Sequence, residues 1–533
     1  SVLPPLVAIG IALLFRQVLV ALFLGIWMGA FLAGDMSLGA VFGTFFATLS
    51  DYIVPATADE NHMSIIVFTL LIGGMVGIIT DNGGTRGVIK AITRFVKNKV
   101  QGQLVTSLMG FIVFFDDYAN TMVVGSTMRP LTDKLRISRA KLAYLVDSTA
   151  APIATVALVS TWIGAMVGFI SDSVANISGL DVAPYSVFIN SLPYNFYAFF
   201  TILFVILIAW SGRDFSTMLK ARINLYKAKH DPTLDKYNLY KDKIRKDEEE
   251  QKLSHWTNAA IPIIVLVVGT IGGLFITGEG SSVQEIIETA DSYKGLLWGS
   301  LLAVVVAFAM TLSKKLLNVE DTLKGMMNGM HVMFDGLLIL VLAWALSEVT
   351  VQLGTADYLM SVFGESLNPY WMPVIVFVLS GLTAFATGSS WGTMGILMPL
   401  VVPLAWEIGH NSGLESSMVM QVIYASVSSV LAGSVWGDHC SPISDTTILS
   451  SIATQCDHVE HVNTQLPYSM IVGTISIFGL IAALVLKISW WVIYPVGIAV
   501  IVGIIFKFGR VPDPASYTLK GKEPAATSIE SDQ

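Results

Sequence analysis

Apolar runs of about 20 residues recur from one end of this chain to the other, each long enough to cross a bilayer as a helix. They fall at about 2–15, 17–34, 62–80, 103–128, 142–170, 185–210, 257–278, 293–312, 331–350, 372–404, 418–452, 467–486 and 488–507. The run 38–54 is less apolar and is expected to be interfacial or half-inserted. Of the 533 residues, 54% are hydrophobic and only 13% charged, where a soluble protein carries about 25% charged residues. The fold class that follows is an all-α polytopic membrane protein. Two cysteines, Cys440 and Cys456, exclude a disulfide framework and a thiolate zinc site. The opening run leads into another apolar run and not into a cleavage-like site, so it reads as a membrane helix and not a signal peptide.

Lys and Arg are biased to cytoplasmic loops, and the 31 here cluster: five in 86–99, five in 129–141, eleven in 213–252, three in 314–324 and four in 507–522. These clusters are all expected on the cytoplasmic side. None lies between Lys324 and Lys487. The segment 103–128 has a basic cluster at each end, so it cannot cross once. It should enter and leave on the same side as a re-entrant hairpin, tipped by Phe114-Phe115-Asp116-Asp117-Tyr118-Ala119-Asn120. A carboxylate at bilayer depth costs roughly 2.5–3.5 kcal/mol even on lenient scales, so two in a row need compensation by a cation or proton.

A second copy of this arrangement lies 270 residues on, where Gly354-Thr355 repeats Gly84-Thr85. At that offset, Thr383-Ala384-Phe385-Ala386-Thr387-Gly388-Ser389-Ser390-Trp391-Gly392-Thr393 stands opposite the first tip, and its flanks hold Asp357, Glu365, Glu407 and Glu415 but no Lys or Arg. That hairpin should enter from outside. After each hairpin comes a helix broken at proline: Asp147-Ser148-Thr149-Ala150-Ala151-Pro152 in the first half, Asp438-His439-Cys440-Ser441-Pro442-Ile443-Ser444-Asp445-Thr446-Thr447 in the second. Proline removes a backbone donor and frees carbonyls nearby. The organisation expected is 1–60 N-terminal membrane helices, 60–210 first inverted repeat, 211–256 cytoplasmic connector and 257–325 linking helices. It continues with 330–487 second inverted repeat, 488–507 C-terminal helix and 508–533 disordered cytoplasmic tail. Broken helices in matching positions of inverted halves point to a transporter site at the midplane.

The candidate cation- and proton-binding residues fall into four groups. The first hairpin offers Asp116, Asp117, Asn120 and Thr121, and the first broken helix Asp147, Ser148, Thr149 and Thr155. The second hairpin offers Thr387, Ser389, Ser390 and Thr393, and the second broken helix Asp438, Ser441, Ser444, Asp445 and Thr446. Oxygen ligands of this kind suit a small hard cation such as Na⁺, held by a subset of Asp116, Asp117, Asp147, Asp438 and Asp445. A structural reading stands beside each: hydroxyls glue membrane helices together, and an aspartate can simply cap a helix start. Adjacent on a helix, Asp116 and Asp117 point about 100° apart, so one of them is expected to face the site. His331 and Asp335 read as an i,i+4 pair, and His458 and His461 as a loop pair without further zinc ligands. The mixed-charge stretch 211–256 reads as a solvated connector.

At the first tip, Phe114–Asn120, and at the two Pro-containing motifs, Asp147–Pro152 and Gly437–Thr447, the sequence resembles the NhaC type of sodium/proton antiporter, a family that also includes sodium-coupled malate/lactate exchangers. The resemblance covers about 60–500. It implies two inverted repeats with re-entrant hairpins and unwound helices, a homodimer in the inner or plasma membrane, and exchange of Na⁺ for H⁺ without any resident cofactor. A transporter of an organic acid or amino acid is the alternative, which the absence of an intramembrane Lys or Arg to pair a carboxylate weighs against. An intramembrane aspartyl protease would need a lone catalytic pair, and a cation channel would show unsaturable current. No Gly-rich nucleotide motif supports a primary pump, and nothing points to a nucleic-acid partner.

Overall fold

The computed structural model describes all residues except 1, 2, 16, 35, 38, 94, 95, 176, 178, 181, 228–254, 356, 357, 359–366 and 514–533. Asp357, Glu365, most of the mixed-charge stretch and nearly all of the tail therefore lie outside the described residues. The described residues are mainly helical, and among them the one extended pairing is a bridge between Asp214 and Arg510. Among the described residues nine helices are long and apolar enough to cross a membrane, or ten if a bent pair counts as one span, which makes this a multi-pass membrane protein.

The first third runs through α1 (Leu3–Phe15), α2 (Val18–Ala33), α3 (Ala40–Ala47), a π-helical turn Thr48–Ile53, α4 (Val54–Ala58) and α5 (Glu60–Asp81). Next come α6 (Gly84–Thr93), α7 (Lys99–Ile112), α8 (Asp117–Lys134), α9 (Arg139–Asp147), α10 (Ala151–Ala154) and α11 (Thr161–Ala175). The middle holds α12 (Pro184–Ser191), α13 (Phe196–Ser211), α14 (Ser216–Lys227), α15 (Thr257–Thr277), α16 (Val283–Thr289), α17 (Ser292–Ser313), α18 (Val319–Val332) and α19 (Phe334–Gln352). The last part is α20 (Met372–Thr387), α21 (Ser390–Asn411), α22 (Ser416–Cys440), α23 (Asp445–Thr454), α24 (His458–Leu480) and α25 (Trp490–Phe508).

Breaks interrupt the apolar runs where local chemistry demands it. The run 103–128 is α7 and α8 separated by non-helical Val113–Asp116, and 372–404 is α20 and α21 separated by Gly388 and Ser389. The run 142–170 breaks twice, at 148–150 and again at 155–160, instead of once at Pro152. The run 185–210 is also broken, by 52° between a Pro193-containing 3-10 turn and α13, whose start Asn195 caps. Pro193 cannot donate to the ladder, and the turn that follows exposes donors for Asn195 to satisfy.

Packing between spans relies on glycine at crossings where backbones touch. A Cβ on Gly77 would sit 2.0 Å from the Gly325 carbonyl oxygen, joining α5 to α18. One on Gly437 would sit 2.1 Å from Gly381 O, joining α22 to α20. Without a hydrophobic drive between helices in lipid, such close backbone contact supplies the dispersion that holds them. Two apolar clusters result. Phe115 at the first break belongs to the one that includes Met109, Val124 and Val146, and Trp391 beyond the second break belongs to the other.

Two expectations change at this level. His331 and Asp335 do not share a helix, because the chain breaks at Met333 between α18 and α19. The residues 213–227 are not a solvated loop. Asp214 is buried, its carboxylate taking Lys141 Nζ at 2.7 Å, Arg222 Nη1 at 3.0 Å and the Tyr468 hydroxyl at 3.1 Å. Burial alone would raise this carboxyl, but the two cations beside it hold it below the ordinary carboxylate range.

Candidate functional site

The first break is held by a single carboxamide. Asn120 Nδ2 donates to the carbonyls of Gly110 (2.9 Å), Val113 (3.1 Å) and Thr149 (3.1 Å), tying the end of α7 and the first broken helix to α8. Asp116 caps α8, accepting from Ala119 N at 2.8 Å, and its other oxygen accepts from the Thr161 hydroxyl at 2.9 Å. Asp117, the next residue, is fully buried and neither of its oxygens has a hydrogen-bond partner. The nearby indole Nε1 of Trp162 does not meet hydrogen-bond geometry with it and is likewise unpartnered. The Oδ1 of Asn120 is a fourth such atom.

The second break repeats the pattern without carboxylates. Ser389 caps α21 by accepting from Gly392 N at 3.2 Å, while the buried Ser390 hydroxyl that follows has no partner. Thr121 donates to Asp117 O at 2.8 Å, and Thr393 to Ser389 O at 3.0 Å. Thr387 donates to Thr383 O within its own helix.

Contacts between the breaks bring the four motifs together. Asp445 N donates to Gly388 O at 3.3 Å, and the Ser441 hydroxyl to Phe385 O at 2.7 Å, joining the second tip to the second broken helix. Tyr118 reaches across from the first tip and donates to Asp445 Oδ2 at 2.5 Å. Trp162 and Trp391 meet edge to face at 5.5 Å. Asp438 is fully buried; Thr446 donates to its Oδ2 at 2.8 Å and its Oδ1 is unpartnered. Ser444 caps α23, accepting from Thr447 N at 3.2 Å.

Asp147 is as buried as Asp117 but saturated. Its oxygens accept from Thr447 (3.0 Å), Ser450 (3.2 Å) and Gln465 Nε2 (2.5 Å), so it pins the first broken helix to α23 and α24. Thr149 and Thr155 donate to nearby backbone carbonyls, Leu145 O and Pro152 O, and Ser148 is also buried. The buried groups with spare acceptors are therefore Asp117, Asp438 and Asn120, and Asp445, bound to Tyr118, lies in electrostatic reach of both Asp117 and Asp438; Asp116 and Asp147 have their oxygens occupied. Buried polar groups in folded proteins are almost always paired, so unpartnered carboxylate oxygens call for an explanation, of which a bound proton or cation is one. Among the described residues, no three His, Cys, Asp or Glu side chains gather closely enough to hold a resident metal ion.

Several residues here were not candidates from sequence. Tyr118, Thr161, Ser450 and Gln465 donate to the predicted carboxylates directly, and Trp162 lies near Asp117. His458 and His461 do not form a loop pair: His458 starts α24 and His461, one turn on, is fully buried. The signal was present, since His458, His461 and Gln465 at i, i+3 and i+7 share one helical face.

A multi-span helical chain whose interrupted helices bring unpartnered carboxylates together inside the bundle has the build of a secondary transporter. The model of the Na⁺/H⁺ antiporter family matches residues 153–485, and the chain belongs to that family, a family of transporters and not of enzymes. It is 30% identical over 489 residues to an uncharacterized protein of Haemophilus influenzae, covering 90% of each chain. A partial match, 27% identical over 43% of this chain and 42% of the other, is to the arginine/ornithine antiporter ArcD of Halobacterium salinarum. The fold is shared with the Alcanivorax borkumensis YdaH transporter, at a TM-score of 0.55 and 12% identity over 89% of this chain and 90% of that one.

Proposed function

We propose that the chain exchanges Na⁺ for H⁺ by alternating access, with Asp117 and Asp438 as the groups that take cation and proton in competition. The observation that carries this is that two buried carboxylates, each in electrostatic reach of Asp445, have three oxygens lacking any partner. Such oxygens are costly unless a proton or a hard cation occupies them, and the two occupants exclude one another. Asp445, held by Tyr118, completes the acidic set.

In this reading 60–210 and 330–487 are inverted repeats, and the tips at Val113–Asp116 and Gly388–Ser389 are re-entrant. The N-terminal helices to residue 60, the linking helices 257–325 and the C-terminal helix 488–507 form the remainder. The basic clusters place 211–256 and the tail in the cytoplasm, the membrane is the inner or plasma membrane, and the working unit is a homodimer.

A second reading, coupled transport of an organic acid or amino acid, is favoured by unpartnered buried donors at the two breaks, Ser390 Oγ and the indole N–H groups of Trp162, near Asp117, and of Trp391, which meets Trp162. A bare ion uses acceptors only, whereas a substrate with its own carboxylate would use donors. The match to an arginine/ornithine antiporter points the same way. Proteoliposomes with a trapped pH dye separate the two. A sodium gradient alone should move protons, saturably. If sodium moves none, while labelled arginine, ornithine, malate or lactate is taken up, the second reading replaces the first.

A further inference from the structure

The hydrogen bonds around Ser451 do not add up with neutral histidines. His458 Nδ1 and His461 Nδ1 each lie 3.0 Å from the Ser451 hydroxyl oxygen, one on either side. The outer nitrogens face groups that only accept: His458 Nε2 is 2.7 Å from the Pro442 carbonyl, and His461 Nε2 is 3.1 Å from Gln465 Oε1. The Gln465 amide is oriented by its nitrogen, which donates to Asp147 Oδ2 and to His439 O. Both Nε2 atoms therefore carry hydrogen, and two neutral rings would turn two bare Nδ1 acceptors toward one hydroxyl. That hydroxyl has a single proton and a further acceptor, Thr447 O at 2.8 Å.

One additional proton resolves the arrangement. With Nδ1–H on either ring, that ring donates to Ser451 Oγ and the hydroxyl donates to the other ring. The two mirror states differ by a concerted shift: one Nδ1–H bond breaks as an Oγ–H bond forms, and the old Oγ–H proton forms the new Nδ1–H bond. Charge moves from one imidazole to the other and no atom is lost.

We propose that His458, Ser451 and His461, two imidazoles to either side of one hydroxyl, form a proton relay between the protein surface and Asp147. The proposal rests on the proton-coupled reading above. The outer end is accessible, since His458 is partly exposed and lies just past Gln455, whose carbonyl accepts from Arg139 of the basic cluster expected in the cytoplasm. The inner end is enclosed, with His461 Nε2 3.9 Å from Asp147 Oδ2. The charged His461 can release its Nε2 proton toward the Asp147 carboxylate, a transient step that breaks its hydrogen bond to Gln465 Oε1 and leaves the ring neutral with hydrogen on Nδ1. Asp147 in turn is in electrostatic reach of Asp438 and Asp445. The titratable group facing the pair is Asp147 from α9, with Asp457 and Glu460 at the start of the pair's own helix; from α22 His439 offers its backbone carbonyl to Gln465, its ring pairing with Tyr197.

The test uses the full chain with ¹⁵N-histidine, in wild-type, Ser451→Ala and Ser451→Thr forms. Imidazole ¹⁵N shifts are titrated in detergent, and sodium-driven proton flux and ²²Na⁺/Na⁺ counterflow are measured in proteoliposomes. In wild type and in Ser451→Thr, both rings should report one shared proton and titrate in concert. In Ser451→Ala they should titrate separately, with proton-coupled flux down at least about tenfold and counterflow unchanged. Concerted titration that survives Ser451→Ala, or coupled flux at the wild-type level in that variant, overturns the relay. Concerted titration in a wild type that shows no sodium-driven proton flux would leave the relay standing and refute the Na⁺/H⁺ reading instead. Loss of folding in Ser451→Ala leaves the decision to the wild-type and Ser451→Thr spectra, where separate titration of the two rings refutes the relay.

Discussion

The breaks at Val113–Asp116 and Gly388–Ser389 use two consecutive positions in the same way but with different chemistry. In each, the first residue caps the following helix, Asp116 for α8 and Ser389 for α21. The second residue, Asp117 or Ser390, is buried with nothing to bond to. A cap is a structural duty that either a carboxylate or a hydroxyl fulfils. The unpartnered position has no structural duty, and there the two breaks differ, one carrying an ionisable carboxyl and the other a neutral hydroxyl. Burial therefore does not separate the roles, because Asp147 is equally buried and takes three donors. Satisfaction of hydrogen bonds does.

The largest effect expected from this comparison is on exchange. Asp117→Asn should lower sodium-driven proton flux by about a hundredfold or more, the scale of a lost proton-transfer group, while Ser390→Ala should change it by about threefold or less. Equal losses in the two variants would break the assignment of charge to the first tip.

The tips are also held differently, which stability measurements can sharpen. Asn120→Ala leaves three buried carbonyls without their donor and should cost about 2–4 kcal/mol, read as a fall in thermal unfolding midpoint in detergent. The second tip depends on backbone: Gly388 has φ of 71° and a Cβ there would meet Ile443 O at 2.4 Å. Gly388→Ala should cost about 1–3 kcal/mol and loosen the junction that Asp445 N makes with Gly388 O.

The smallest effect concerns a carboxylate outside the membrane spans. Asp214 has its folded pKa depressed by Lys141 and Arg222 despite burial. Its contribution is therefore complete above the ordinary value of 3.8 and is lost as pH falls through the lower folded value. Unfolding midpoints should drop below pH 3.8 in the wild type, and Asp214→Asn should remove that acid dependence at the expense of stability at neutral pH.

Much of this was legible in the chain. Adjacent Asp116 and Asp117, and prolines 152 and 442, announce breaks because charge and missing donors cannot sit in an apolar helix without them. The match between tips was legible only approximately. An offset of 270 sets Asp116 and Asp117 opposite Ala386 and Thr387, whereas capping roles pair them with Ser389 and Ser390. Periodicity fixes a helix, but the exact residue where it restarts depends on which side chain reaches a free N–H. The kink before α13 had a signal in Pro193 that an apolar run obscured. What could not be read was which aspartate stays unpartnered, since Asp147 is satisfied by Thr447, Ser450 and Gln465, some 300 residues away.

The central claim is that Asp117 and Asp438 hold protons which a cation displaces. Purified protein in weakly buffered detergent, near neutral pH, should acidify the solution when NaCl is added and not when choline chloride is added. Asp117→Asn should abolish the release. Release of the same size from Asp117→Asn, or none from the wild type, would contradict the account.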